Sequence, residues 1–87
     1  MLKKSKTSQE INERFFEAIE ILKRMRRMRG LCDFAVQHDI SYGNLCTIKN
    51  HGTGIIKPEY LYILAKEYGV SAKWLLLGEG FFFEEKG

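Results

Sequence analysis

The chain has 87 residues, of which 45% are hydrophobic and 29% are charged, and its formal net charge at pH 7 is +3. This length suits one soluble globular domain, and a domain so small buries only about 60 to 65% of its unfolded surface. No apolar run approaches the roughly 18 residues that span a bilayer, and the basic start lacks the apolar segment of a secretory signal. We therefore expect a cytoplasmic protein without membrane contact, whose two cysteines are free thiols.

The first helix is predicted to follow a basic arm, residues 1–7, which carries three lysines. The arm is interpreted either as a solvated tail or as a contact to DNA phosphates, and both interpretations stay open. Thr7 and Glu10 form a capping-box pattern that would begin the helix. Apolar residues then recur at spacings of three and four and define one buried face: Ile11, Phe15, Ala18, Ile19 and Leu22.

A basic cluster is expected to close this helix, and it comprises Lys23, Arg24, Arg26, Arg27 and Arg29. Cations at the end of a helix complement its dipole, which would be a purely structural use. Five cations in seven residues exceed what a cap requires, so a ridge that faces DNA phosphates is an equally open interpretation. Gly30 is predicted to end the helix in the left-handed conformation.

Two short helices are predicted between residues 31 and 50. Phe34 and Ala35, with His38 one turn later as a partly buried core histidine, mark the inner face of the first helix, and Leu45 and Ile48 mark that of the second.

The link between these two helices contains Asp39, which tolerates left-handed backbone angles, and Ser41, which suits an N-cap. Helices joined by so short a link cross at a wide angle and wedge Ala35 and Ile40 between them. This pattern predicts a helix-turn-helix.

The outward face of the second helix is the candidate DNA-reading surface. If Leu45 and Ile48 face the core, helical geometry turns four base-reading candidates outward: Tyr42, Gly43, Cys46 and Thr47. The fifth candidate, Asn44, lies at the border of this face, and both a reading of adenine and a plain solvent-facing or N-terminal helical role stay open for it. Candidate phosphate contacts lie around them: Ser41, Lys49, Asn50, His51, Thr53, Arg27 and Arg29. Because long bidentate readers such as Arg and Gln are scarce here, we expect specificity to depend on apolar contacts, DNA shape and half-site spacing.

The remaining chain predicts two more helices. Ile55 and Ile56 are expected to fold back onto the core. Pro58 suits a first helical turn, Gly69 a helix end and Ser71 an N-cap for a last short helix that carries Trp74 and Leu75. The inner stripe of the longer helix is predicted to be Leu61, Leu64, Ala65 and Tyr68. The expected fold class is all-α, a compact bundle of about five helices.

Three consecutive aromatic residues, Phe81, Phe82 and Phe83, begin the C-terminal tail, residues 81–87. All three cannot point inward from a terminal segment, and exposed apolar clusters usually mark contact surfaces. Two interpretations remain open, a dimer contact or folding of these rings onto Trp74 and the first helix.

Ala35, Asp39-Ile40-Ser41, Leu45 and Ile48 resemble the Ala…Gly-Val-Ser…Ile…Ile frame of phage-repressor and Cro-type helix-turn-helix domains, the lambda-repressor-like family. Tyr68-Gly69-Val70-Ser71 and the later run Trp74-Leu75-Leu76-Leu77-Gly78-Glu79-Gly80 are similar to the phage-repressor subgroup. The resemblance covers about residues 11–80, within a predicted domain of residues 8–80. Asp39 in place of the turn glycine, Leu31 in place of a common Gln and Gly43 inside the reading helix depart from the family pattern.

The resemblance implies a transcriptional repressor of phage or mobile-element type. Such a protein would bind double-stranded DNA at a palindromic operator as a homodimer, with residues 41–49 in the major groove.

Other functions find less support in the sequence. The spacing of Cys32, His38, Cys46 and His51 does not match zinc-finger patterns, so no metal is expected. There is no carboxylate pair, catalytic triad or phosphate-binding glycine loop, so we expect neither an enzyme nor a cofactor nor a small-molecule substrate. The main rival is a helical protein–protein interaction module that keeps the helix-turn-helix frame without binding DNA.

Overall fold

The structure, a computed structural model, describes residues 6–52 and 54–83, with side chains from Thr7 onward. The described chain forms five α-helices, which confirms the predicted all-α class. They are α1 (Lys6–Arg24), α2 (Leu31–Gln37), α3 (Tyr42–His51), α4 (Pro58–Tyr68) and α5 (Ala72–Leu77). None of these helices has the length and apolar character needed to cross a bilayer.

The core is built around α1. Phe15, Ala18 and Leu22 are fully buried, as the spacing predicted, whereas Ile11 is only half-buried. The Phe15 ring meets the Phe34 ring of α2 edge-on, with the ring centroids 5.7 Å apart. One continuous cluster therefore joins α1 to the helices that follow, and its larger members include Phe15, Ile19, Leu22, Phe34, Leu45, Ile56, Leu64, Val70 and Leu75.

The end of α1 differs from the prediction. The helix stops at Arg24, and Arg26 adopts the left-handed conformation at φ 62°. The Arg26 N–H donates to the Lys23 carbonyl at 3.0 Å and the Arg27 N–H donates to the Leu22 carbonyl at 2.8 Å. These two bonds form a Schellman motif, so the last free carbonyl groups are satisfied without a glycine.

Gly30 was therefore wrongly predicted as the cap of α1. It has φ 140° and ψ −168° and occupies the N-cap of α2 instead. The physical reason is Met28, which is only 7% exposed. A helix continued through residue 28 would place Met28 about 240° around the axis from Leu22, away from the core. The start of α1 was also wrong, because Thr7 lies inside the helix and not before it.

The link between α2 and α3 has the predicted local structure. Asp39 is left-handed at φ 56°. The Ile40 N–H donates to the Ala35 carbonyl at 2.8 Å, which closes α2 with the same kind of motif as α1. The Ser41 hydroxyl accepts from the Asn44 N–H at 3.2 Å and caps α3 as expected. His38 is half-buried beside Phe34, with the ring centroids 5.0 Å apart.

In the second half of the chain, the helix boundaries agree with the prediction better than the burial of individual side chains does. Pro58 occupies the first turn of α4, and Gly69 ends that helix at φ 74°. Leu64 is fully buried, whereas the other predicted stripe residues are half-buried, and Tyr60 is buried although it was not predicted. Ile56 is 2% exposed but Ile55 is 59% exposed, so the prediction for Ile55 was wrong. These two neighbours lie outside any helix, and only Ile56 reaches the core.

The described part of the tail folds back onto the helices. The Ser71 N–H donates to the Phe82 carbonyl at 2.7 Å, and Phe83 forms an antiparallel bridge with Val70. The Phe82 ring packs edge-on against Trp74 at 4.8 Å between centroids. Phe82 and Phe83 therefore pack within the chain, which was one of the two interpretations left open by the sequence. Phe81 is 74% exposed.

Candidate nucleic-acid interface

Helix α3 separates its two faces as its sequence predicted. Leu45 is fully buried and Ile48 is 7% exposed. On the other face Tyr42 is 45% exposed, and three further base-reading candidates, Gly43, Asn44 and Thr47, are also exposed. The fifth candidate, Cys46, is half-buried. Four of the five predicted base-reading residues thus share a surface open to a partner.

The side chain of Thr47 is held by its own helix. Its hydroxyl donates to the Gly43 carbonyl at 3.0 Å, a bond to the residue four positions earlier. The hydroxyl proton is thereby used, and the methyl group and oxygen lone pairs remain for a partner. At Gly43 an added Cβ would meet only the Ser41 hydroxyl, at 3.9 Å. Glycine is therefore not required by packing inside the protein, and it leaves the backbone here open to close approach.

Tyr42 begins α3 and lies beside a thiol. A hydrogen bond with the Cys46 side chain is the main cause that raises the pKa of Tyr42 above its ordinary value of 10.0, and the charges that Cys46 and Cys32 can carry act in the same direction. The Tyr42 hydroxyl accordingly keeps its proton at neutral pH. Because a hydrogen bond raises the pKa of a phenol only when the phenol donates, the hydroxyl proton points to Cys46 in the free protein, and a phosphate oxygen would replace that thiol as the acceptor.

A cleft beside α3 brings cations from three parts of the chain together. Lys23 from α1, Arg29 from the segment before α2 and Lys49 from α3 line it. Tyr42 and Asn50 also face this cleft, and Glu20 places one carboxylate at its edge. Arg29 and Lys49 were predicted as phosphate contacts, whereas Lys23 was interpreted only as part of the basic cluster.

Arg27 lies in a different environment from the other predicted phosphate contacts. Its guanidinium carbon is 5.3 Å from the centroid of the Phe83 ring, so it stacks on the folded tail. Asn50 and His51 are exposed at the end of α3, which Gly52 closes at φ 66°. Thr53, the remaining predicted contact, and the basic arm up to residue 5 lie outside the described residues.

Asn12 is a buried polar residue beside the candidate interface that the sequence reasoning missed. It lies in α1, is 6% exposed and binds the loop between α3 and α4 through both ends of its amide. A signal was present, because Asn12 occupies the same three-and-four spacing as Phe15, Ile19 and Leu22. A polar residue within an apolar stripe predicts a buried side chain with hydrogen-bond partners.

Among the described side chains, no three His, Cys, Asp or Glu residues gather closely enough to hold a metal ion. Comparison with known proteins gives no match to a family model, a curated protein or a solved structure.

Proposed function

We propose that the protein is a sequence-specific DNA-binding transcriptional regulator, with α2 and α3 as its helix-turn-helix. The observation that carries this proposal is the division of α3, whose inner face is core while its outer face exposes Tyr42, Asn44 and Thr47. Lys49 and Arg29 beside that face supply positive charge where a phosphate backbone would pass. We infer a repressor of phage or mobile-element type from the sequence resemblance alone.

The chemistry of the outer face suits a major groove entered by the start of α3. Tyr42 donates from its hydroxyl to a phosphate or lays its ring on a thymine methyl group. Asn44 reads adenine through its amide, and Thr47 offers its methyl group to thymine. With no Arg or Gln on this face, discrimination comes from apolar contacts and from the deformability of the DNA.

A second copy of the chain completes the proposed reader. Leu77 is 61% exposed and Phe81 is 74% exposed, so the end of α5 and the start of the tail present uncovered apolar surface. Two-fold helix-turn-helix dimers read half-sites about 10 to 10.5 base pairs apart, so a dimer that covered this surface would have to present its two α3 helices at that spacing.

Selection of bound sequences from random DNA tests the proposal. The expected product is a palindromic consensus with half-sites at that spacing, rich in A·T pairs. Thr47→Glu is expected to abolish specific binding while the helical content stays unchanged, because a carboxylate is repelled from the groove and Thr47 is exposed. Tyr62→Glu adds the same carboxylate on α4 and serves as the control, since Tyr62 is 61% exposed and lies outside the proposed DNA interface. Retention of specific binding by Thr47→Glu would show that α3 is not the reading helix.

One observation favours a second candidate, a protein–protein interaction module. An apolar groove runs between α4 and α5, and its lining includes Pro58, Leu61, Tyr62, Leu75 and Leu76. A non-specific DNA column separates the two functions. Retention that is lost steeply between low and moderate salt indicates neutralised phosphates, whereas passage through the column at low salt supports the interaction module.

A further inference from the structure

The side chain of Asn12 ties α1 to the loop that follows α3. Its Nδ2 group donates to the Gly54 carbonyl at 3.1 Å, and its Oδ1 atom accepts from the Ile56 N–H at 3.0 Å. These two bonds join positions 42 and 44 residues apart in the chain. Because one end of the amide donates and the other accepts, both the position of the loop and the orientation of the amide are fixed.

The same loop is held on its other side by α3. A Cβ atom at Gly54 would lie 3.3 Å from the Ile48 Cγ1 atom, and Gly54 has φ 86°, so the backbone passes close to the last turn of α3. A cleft lined by Asn12, Lys49 and Gly52 lies at this junction. The loop is therefore clamped between the helix that carries Asn12 and the proposed reading helix.

We propose that Asn12 is a positioning residue of the DNA interface, an inference that rests on the proposed function. Asn12 is 6% exposed and does not itself meet DNA. It fixes the loop at Gly54 and Ile56 against the end of α3, so that Lys49 and the backbone at Gly52 are held where the phosphate backbone passes beyond the groove. Phosphate contacts set the register of a protein on the duplex, and a loop held in place before binding loses less conformational entropy on binding.

Asn12→Leu is the main test variant, because it keeps a similar side-chain volume, adds no charge and removes both hydrogen bonds. Leu75→Val is the matched control, since it loosens the fully buried core at α5 and leaves both hydrogen bonds of Asn12 in place. Gly54→Ala is a second variant that displaces the loop by another route, through its left-handed backbone and the Ile48 contact. If Asn12→Leu does not fold, Gly54→Ala is used in its place to measure the effect of loop displacement on DNA binding.

The measurement is the affinity for the selected operator and for random DNA at several salt concentrations, well below the unfolding temperature of every variant. A plot of the logarithm of the DNA-binding constant against the logarithm of the salt concentration has a negative slope, and loss of one phosphate contact makes this slope less steep by about 0.9. The affinity advantage of the native protein over Asn12→Leu is then expected to shrink about 3- to 4-fold between 50 and 200 mM salt. The ratio of operator to random binding stays unchanged, because phosphate contacts carry no sequence information.

Leu75→Val is expected to keep the native slope. If Asn12→Leu and Gly54→Ala also keep it, the positioning role is refuted while the proposed function stands. If the native protein does not bind DNA at low salt, the proposed function fails and the positioning role fails with it.

Discussion

Arg26 offers a direct test of how α1 ends. It holds the left-handed conformation at φ 62°, where the Cβ atom of an L-residue costs roughly 1 to 2 kcal/mol. Glycine removes that cost, but it loses more conformational freedom on folding, which lowers the stability by about 0.5 to 1 kcal/mol. Both hydrogen bonds of the motif use backbone atoms and survive the substitution. Arg26→Gly is therefore expected to stabilise the protein by about 0.5 to 1 kcal/mol.

Thermal unfolding followed by circular dichroism measures this effect. For a domain of this size the expected rise in Tm is about 2 to 8 °C. Arg26→Ala is the matched control, because it removes the same charge and side chain but keeps the Cβ atom. Its Tm is expected to stay close to that of the native protein. Equal Tm values for the Gly and Ala variants would refute the assignment of strain to Arg26 and attribute any change to the lost charge.

Two further predictions concern polar contacts that close helix ends. Hydrogen bonds from the Arg29 backbone N–H and the Gln37 side chain lower the pKa of Asp33 below its ordinary value of 3.8. The ionised Asp33 carboxylate therefore stabilises the folded protein above pH 3.8, and this stabilisation is lost as the pH falls through the lowered pKa. The free energy of unfolding of Asp33→Asn, measured by urea titration, is expected to vary less with pH below about 4 than that of the native protein; an unchanged pH profile would count against this role. Arg14 donates to two carbonyl groups of α5 at 2.9 and 2.8 Å, and Arg14→Leu is expected to lower the free energy of unfolding by about 1.5 to 3 kcal/mol in the same assay. Arg14→Lys should recover part of that loss, and full stability of Arg14→Leu would contradict the prediction.

Local patterns predicted the parts of the fold that depend on neighbouring residues. The faces of α1 and α3 follow from spacings of three and four, and the roles of Asp39, Ser41 and Pro58 follow from capping and turn chemistry within a few residues. The outward face of α3 was predictable for the same reason. Once Leu45 and Ile48 face the core, helical geometry determines the rest of the surface.

Contacts between distant segments were not predictable in this way. The choice between Arg26 and Gly30 as the left-handed residue depends on the burial of Met28, which is a property of the packed core. The local rule that a glycine occupies the left-handed position at a helix end selects Gly30, which is wrong for α1. The tail follows the same logic, because the Phe82 carbonyl takes its hydrogen bond from Ser71, a partner that no spacing rule identifies.

The cleft beside α3 shows how such an error reaches the candidate site. If α1 had continued to Arg29, its cations would have spread around a helix. Because the helix stops at Arg24, Lys23 and Arg29 instead meet Lys49 across one cleft. The sequence supplies the charge, but the end of α1 decides where that charge is concentrated.

Stability and proposed recognition are separated on α3. A helix of ten residues is too short to be stable alone, so α3 depends on its buried side chains and on its two ends. Leu45 and Ile48 supply the burial, Ser41 caps the start, and Gly52 closes the end. The exposed side chains between them add little to this support. If α3 reads DNA as proposed, substitutions on its outer face would change the sequence it recognises at small cost in stability, so one scaffold could serve different operators.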